Sequence, residues 1–463
     1  MGKGMAGKTA EVVICGAGIA GISAAYHLTV NQGLRKVILV DERQPLSLTS
    51  DKSTECYRNW WPGPDRAMVS LLNRSIDLME QMADRSNNIF RLNRRGYLYI
   101  TADPERIEIL KQNAEIASQL GAGPLRFYQG NSTDPVYKTS RTTGFKDQPV
   151  GADLILDQNL IRSLFPYLDN RVLAVLHVRR AGWLSAQQLG TYMLSKARDH
   201  GAELIRAKVD RVEFNKGQVR SVGFSDNSIA SISTKKFVNA AGPFINPVAN
   251  LLGTNLNVYA ELHAKIACND RYHILPRDAP LLIWSDPQRL EFSEEDRAFL
   301  EKDRENRWLL SEFPSGLHTR PEGGGDSEMI LILWAYHTPA LEPCWPLPIE
   351  PQYPEIVYRG LIKMLPKMKT YLGKFPRPVV DGGYYLKTPE NRPLIGPMEV
   401  EGAYLIGALS GFGVMAACGA GELLADHILG NQLPEYAPAF SLDRYKDPKY
   451  HLRFDAWKDS IQL

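Results

Sequence analysis

"EVVICGAGIAGISAAYHLTVNQGLRKVILVDE", Glu11 to Glu42, is the stretch whose reading decides the fold. A short β-branched run, Glu11 to Cys15, leads into Gly16, Gly18 and Gly21. Ile22, Ala25, Tyr26 and Leu28 follow at helical spacing, and a second apolar run, Ile38 to Val40, ends on acids. Strand, glycine turn, helix, strand makes a βαβ unit in which each glycine has its own task. Gly16 allows the tight turn, Gly18 lets a pyrophosphate approach the backbone, and Gly21 lets the helix lie close on the sheet. Ala17, Ile19 and Ala20 complete the turn, where unpaired N–H groups and the positive end of the helix dipole suit a phosphate. Asp41, at the end of the second strand, is placed to accept ribose hydroxyls, with Glu42 and Arg43 beside it.

That fingerprint is common to NAD and FAD sites, and the far end of the chain discriminates between them. "YLIGALSGFGVMAACGAGELLADHI" reads as an apolar strand, Tyr404 to Ile406, a turn with Gly407, Gly411 and Gly413, and a helix of small residues. N–H groups around Gly411, Phe412, Gly413, Val414 and Met415 would offer positive potential to a reduced flavin ring. Small residues are equally at home in a tightly packed core helix, so the composition of that helix does not decide its role.

The bulk properties exclude several classes. In 463 residues, 54 Lys plus Arg against 52 Asp plus Glu give a formal net charge of +2, which offers nucleic acid no electrostatic footing. Cys15, Cys56, Cys268, Cys344 and Cys418 are scattered and never spaced as CxxC, so neither structural zinc nor a disulfide framework is expected. No run reaches the roughly 18 apolar residues of a membrane span, and "MGKGMAGKTA" lacks the apolar core of a signal peptide. A cytoplasmic protein without metal, membrane or nucleic acid is the expectation, and a homo-oligomer is compatible with it.

Along the chain the texture changes twice. From about Tyr259 it becomes aromatic, β-rich and proline-punctuated, and from about Pro376 the glycine-rich α/β texture returns. The expected architecture is α/β, α+β overall: a Rossmann-type nucleotide domain interleaved with a sheet-rich substrate domain. The nucleotide domain is assigned 9–90, 151–255 and 376–463, and the substrate domain 91–150 and 256–375. A helix is expected from Asp65, and "EFSEEDRAFLEKDRENRW" reads as a solvated surface helix.

Together with "GAELIRAKVDRVEF", "FVNAAGP" and "TPENRPLIGP", these motifs make the chain resemble the D-amino-acid-oxidase-like flavoproteins, the group with sarcosine oxidase, glycine oxidase and dimethylglycine dehydrogenase. The resemblance covers nearly the whole length. It implies FAD, hydride removal from the carbon of a C–N bond, a small amine or amino-acid substrate, and O₂ or another electron acceptor. It also places Val209, Ala241 and Gly242 by the cofactor. "TSDKSTECYR" fits the family's loop after the acidic strand end, which puts Ser50, Lys52, Ser53 and Thr54 along the phosphate and ribityl portion and Arg58 at the flavin and substrate.

By the same resemblance, "LWAYHTP" is similar to a strand carrying a substrate-side His, here His337, and Tyr385 matches an aromatic over the amine. The expected catalytic set is Arg58, His337 and Tyr385. Four departures stand out. Glu55 and Cys56 replace common glycines. Leu333 and Met415 replace two lysines, one that activates oxygen and one that binds carboxylate. Gly383 occupies the position of a flavin-linking Cys, so FAD is expected to be noncovalent. Alternative activities are a 2-hydroxy-acid dehydrogenase and a flavin-bearing assembly subunit with little turnover.

Overall fold

In the computed structural model, which describes residues 8–225 and 231–450, the Val12–Cys15 and Val37–Asp41 strands pair in parallel. Uninterrupted apolar runs of this kind suit strands covered on both faces. They sit in a six-stranded sheet ordered Leu394–Pro397, Ala403–Gly407, Phe237–Asn239, Val12–Cys15, Val37–Asp41, Ala202–Arg206. Every neighbour is parallel except the first edge strand.

The helices Ile19–Tyr26, Ala67–Arg85, Ala186–Asp199 and Gly413–Leu429 cover one face. A three-stranded antiparallel sheet of Val209–Asn215, Gln218–Phe224 and Ile232–Ser233 covers the other. The Gly413–Leu429 helix lies against both Ile19–Tyr26 and Ala67–Arg85. A Cβ on its Gly421 would stand 2.3 Å from Ser23 Oγ, so the small residues serve helix packing after all. Its N-terminal end is what remains for chemistry.

The second body is a nine-stranded sheet. Its order is Val379–Lys387, Tyr259–Asn269, Met329–Leu333, His318–Pro321, Leu281–Trp284, Tyr97–Thr101, Ala174–Val178, Ala152–Ile155, Leu125–Tyr128. The Tyr353–Met364 helix buries Tyr353, Ile356, Val357 and Leu361 in the same core as Ile332 and Trp334 of this sheet region.

Sheet membership corrects the expected partition. Ala152–Ile155 and Ala174–Val178, assigned to the nucleotide domain within 151–255, pair with each other, and the latter pairs with Tyr97–Thr101. Val379–Lys387, assigned to the third nucleotide segment, runs antiparallel along Tyr259–Asn269. An apolar strand reads alike in either sheet, and only its backbone partner decides where it belongs. The helix expected from Asp65 begins at Ala67, with Asp65 Oδ1 accepting the Ala67 N–H at 3.0 Å. The charged stretch forms the Glu294–Lys302 helix, with only Leu300 buried.

Candidate active site

Both glycine turns open at the C-terminal ends of parallel strands of one sheet, Val12–Cys15 and Ala403–Gly407, with Phe237–Asn239 between them, where α/β sheets bind ligands. The cleft there is lined by Gly18, Ile19, Ala20, Ser50, Ser53, Ala240 and Gly242 on one side. Tyr385, Ser410, Gly411, Gly413 and Val414 line the other. Gly16, at φ +111°, and Gly21 are closed in by backbone: a Cβ would meet Ala240 O at 2.3 Å and Gly16 O at 2.0 Å. Gly18 differs, because its nearest neighbour would be a side-chain atom, Ser50 Oγ at 3.2 Å. The helices Ile19–Tyr26 and Gly413–Leu429 both begin at this cleft, so two positive dipole ends face it. Between the strand and the second turn, Ala408 takes a left-handed φ of 52°.

Asp41 accepts the Ala17 N–H at 2.8 Å and the Arg43 N–H at 2.9 Å, which fixes its carboxylate beside the turn. Ser50 Oγ accepts the Ile19 N–H at 3.0 Å and closes the open end of the first helix. Glu42 is exposed, and the Arg43 guanidinium lies over Trp345 at 4.9 Å and Phe244 at 5.6 Å. Val209 is buried with Cys15 and Val40 behind the first strands.

An inner cavity of about 190 Å³ adjoins the cleft, sharing Ser53, Tyr385, Ser410 and Gly411 with it. The Cys56–Arg58 strand builds one wall through its pairing with Ala181–Trp183. Strand alternation turns Cys56 and Arg58 toward the cavity, while Tyr57 donates to Asn93 O at 2.7 Å in the core. Arg58 is buried, donates from Nε to Trp60 O at 3.2 Å, and lies 5.7 Å from the ring centroids of both Trp61 and Tyr97. Trp61 meets Phe412 edge to face at 5.3 Å.

The opposite wall carries histidines. His263 stacks on Tyr385 at 4.0 Å and 17° and donates to Glu261 at 3.1 Å, while Lys387 pairs with the same carboxylate at 2.7 Å. Burial would raise Glu261, but the bonds from His263 and Lys387 outweigh it and hold the carboxyl below its ordinary range. For His263 burial wins over the Glu261 contact and lowers its pKa, so we read the group as neutral imidazole, ionised carboxylate and ammonium. With Nε2–H given to Glu261, Nδ1 remains as a proton acceptor. His318, lowered to about 4 by burial, places Nδ1 2.9 Å from Gly316 O and Nε2 3.5 Å from Thr54 Oγ1.

The departure at Glu55 now has a physical explanation. Glu55 keeps the conformation of a glycine, φ 56°, and its carboxylate accepts the Ala186 N–H at 2.9 Å. Buried Arg320 donates to Thr54 O at 2.7 Å and stands 3.9 Å from that carboxylate. Burial raises the Glu55 pKa against the pull of Arg320. Leu333 and Met415 are cavity walls, and the cationic side chains of that cavity, Arg58 and Lys387, come from other strands.

Residues 11–427 match the family model described as DAO, FAD dependent oxidoreductase. The chain belongs to this family. It is 22% identical over 440 residues to mitochondrial dimethylglycine dehydrogenase of Mus musculus, covering 92% of this chain and 43% of the relative, so it spans less than half of that protein's length. Among solved structures it resembles L-proline dehydrogenase from P. horikoshii, at 20% identity and TM-score 0.72 with 95% and 98% of the two chains covered. Glycine oxidase from Geobacillus kaustophilus is similar at 14% identity and TM-score 0.70, with 94% and 99% covered.

The residues fit the family's FAD. The backbone-packed Gly16 and Gly21 flank an open cradle at Gly18, and the two helix N-termini that open on the cleft would favour an anionic cofactor. Ser50, Ser53, Gly242, Gly411, Gly413 and Val414 lie on the cleft; Thr54, Arg58, Phe412 and Met415 line the inner cavity; and Ala241 follows Ala240 at the cleft rim.

Two expected roles need correction. Lys52 lines neither space; its ammonium pairs with Asp381 at 3.0 Å and Asp51 at 3.4 Å, because the loop packs that side chain on the neighbouring sheet. His337 lies outside the cavity, its side chain 63% exposed and bonded to Glu350 at 2.9 Å. His263 and His318 take the wall instead, and the motif "GLHTRP" at Gly316 to Pro321 was the available signal for the second. A larger cavity, about 990 Å³, lies elsewhere, between Asp65, Arg392 and Arg444. Both of its arginines are held in ion pairs, Arg392–Asp65 at 2.7 Å and Arg444–Glu390 at 2.6 Å. Among the described residues no helix is long and apolar enough to cross a membrane.

Proposed function

We propose that the chain oxidises a secondary or N-alkylated amino acid at the carbon beside nitrogen, giving an imine that water hydrolyses. The observation that carries this reading is the inner cavity, in which Arg58, His263 and Tyr385 converge beside the cleft. FAD bound in that cleft supplies the two-electron acceptor. Arg58 binds the substrate carboxylate, which fixes the reacting carbon against the Gly411 side of the cavity. The Tyr385 and Trp61 rings exclude water and favour a neutral amine over an ammonium ion. His263 Nδ1 takes the amine proton, and Glu261 steadies the ring through Nε2. As the C–H bond breaks, the nitrogen lone pair forms the C=N bond. Solved structures with this fold include an L-proline dehydrogenase and a glycine oxidase, whose names agree with C–N chemistry.

The test is an anaerobic absorbance screen of amines, N-alkyl amino acids and 2-hydroxy acids against the yellow protein. Bleaching by an N-alkyl amino acid is expected, with Arg58→Ala raising the half-bleaching concentration at least about tenfold through the lost charged hydrogen bond. Bleaching by 2-hydroxy acids alone would overturn the reading. Colour that survives every compound would favour a flavin-bearing subunit.

A further inference from the structure

A second chamber lies behind Arg58. It measures about 60 Å³ and shares Arg58 and Ser315 with the inner cavity. Trp60, Pro62, Tyr99, Ile109, Leu110 and Leu176 make its apolar wall, and the Pro104–Ala117 helix contributes Arg106 and Asn113. The adjacent tryptophans thus divide their work, Trp61 on the inner cavity and Trp60 on the chamber behind it. Arg106 also belongs to this wall and holds its guanidinium by donating to Ser285 O at 2.9 Å. Two further wall residues carry polar atoms that no protein group satisfies: the buried indole N–H of Trp60 and the hydroxyl of Ser285. Buried donors are ordinarily paired, so an apolar chamber edged by unspent donors and a guanidinium suits a chain ending in hydrogen-bond acceptors.

We infer that the substrate is elongated: its amine reacts in the inner cavity, and an apolar arm passes Arg58 and Ser315 to place a distal carboxylate at Arg106. This rests on the amine reading above and names its substrate class, an amino acid N-substituted with a carboxyalkyl chain. The arm gains apolar contact with each methylene, and the carboxylate takes up donors that are otherwise unsatisfied.

The holoenzyme is titrated anaerobically with N-methylglycine and with N-(carboxyalkyl)glycines of increasing length. The half-bleaching concentration is expected to fall about fourfold per added methylene until the chamber is full. Arg106→Gln is expected to narrow the preference for a distal acid over its methyl ester about tenfold. Leu110→Phe, which fills the chamber, is expected to reduce the ratio of long-chain to short-chain efficiency. Flavin content per polypeptide reports whether each variant folds. A flat length series, or a Leu110→Phe effect equal for every length as in a simple passage, overturns the inference. If no amine of any length bleaches the flavin, the amine reading is what fails. Straight-chain diacids are then titrated by their perturbation of the flavin spectrum. Length-dependent binding that Leu110→Phe abolishes sustains the chamber's role, and its absence refutes it.

Discussion

Single methyl groups added at Gly16 and Gly18 should separate folding from cofactor binding. Gly16 sits at φ +111°, and its Cβ would stand 2.3 Å from a backbone oxygen, Ala240 O. An ordinary contact needs roughly 3.5 Å, so main chain in the central strands must retreat by about an ångström. Strain of about 1–3 kcal/mol from the dihedral and about 1–3 kcal/mol from overpacking add to roughly 2–6 kcal/mol. That is a large share of the roughly 5–15 kcal/mol that holds a domain together. Gly18, at φ −77°, is in a region any residue adopts, and its nearest obstacle is the movable Ser50 Oγ at 3.2 Å. Gly18→Ala should therefore change apoprotein stability by less than about 1 kcal/mol.

At Gly18 the new methyl projects where a pyrophosphate would rest. Losing one charge-assisted hydrogen bond costs about 1.5–3 kcal/mol, a weakening of roughly 10- to 150-fold. Thermal melts of apoprotein by circular dichroism and FAD titration by quenching of flavin fluorescence read the two effects separately. Gly16→Ala should lower Tm sharply, whereas Gly18→Ala should keep Tm and lose affinity. Wild-type FAD affinity in Gly18→Ala would refute the cradle, and a wild-type Tm in Gly16→Ala would refute the packing argument.

Three other outcomes are expected. His337→Ala should leave turnover of an identified amine within about twofold, whereas His263→Ala should lower kcat by roughly 10²-fold or more, the range of a lost general base, as stopped-flow bleaching would show. Stability should fall with acid below about pH 6.5. The unfolded chain protonates its histidines there, while buried His27 and His318, each lowered to about 4, stay neutral until about pH 4. Each such proton costs roughly 1.4 kcal/mol per pH unit across that window, measurable as falling urea midpoints between pH 7 and 5. Acid precipitation should leave the yellow colour in the supernatant, because Gly383 leaves no thiol at the linking position and its site is packed on Thr49 and Lys52. Colour retained in the pellet would mean a covalent flavin.

The residues expected at the glycine turns meet in one cleft more fully than the residues expected at the substrate wall meet in the inner cavity, and the difference is one of range. Gly16, Gly18, Gly21 and Asp41 act within one βαβ unit, so spacing along the chain carries their geometry. Choosing among His263, His318 and His337 required the order of a nine-stranded sheet, in which Tyr259–Asn269 and His318–Pro321 both flank Met329–Leu333. His337 lies only a few residues beyond that strand, yet it turns out to solvent toward Glu350. A motif match on one strand cannot register which neighbours it will acquire. Lys387 shows the same effect in reverse: it enters the cavity because Val379–Lys387 pairs beside Glu261, a contact fixed by register alone.

The loop that departs from the family's glycines makes the complementary point. Left-handed backbone costs a non-glycine residue about 1–2 kcal/mol, so Glu55 at φ 56° would be expected to reshape the loop. It does not, because its carboxylate is spent on the Ala186 N–H and on Arg320, and that same arginine holds Thr54 O. Removing the side chain with Glu55→Gly would restore the conformational freedom but leave Arg320 buried with one acid fewer. The substitution that looks like a reversion to the family pattern should therefore destabilise this chain. Glu55 thus holds a backbone conformation that a glycine adopts freely, and it does so because its carboxylate is tied to the Ala186 N–H and Arg320.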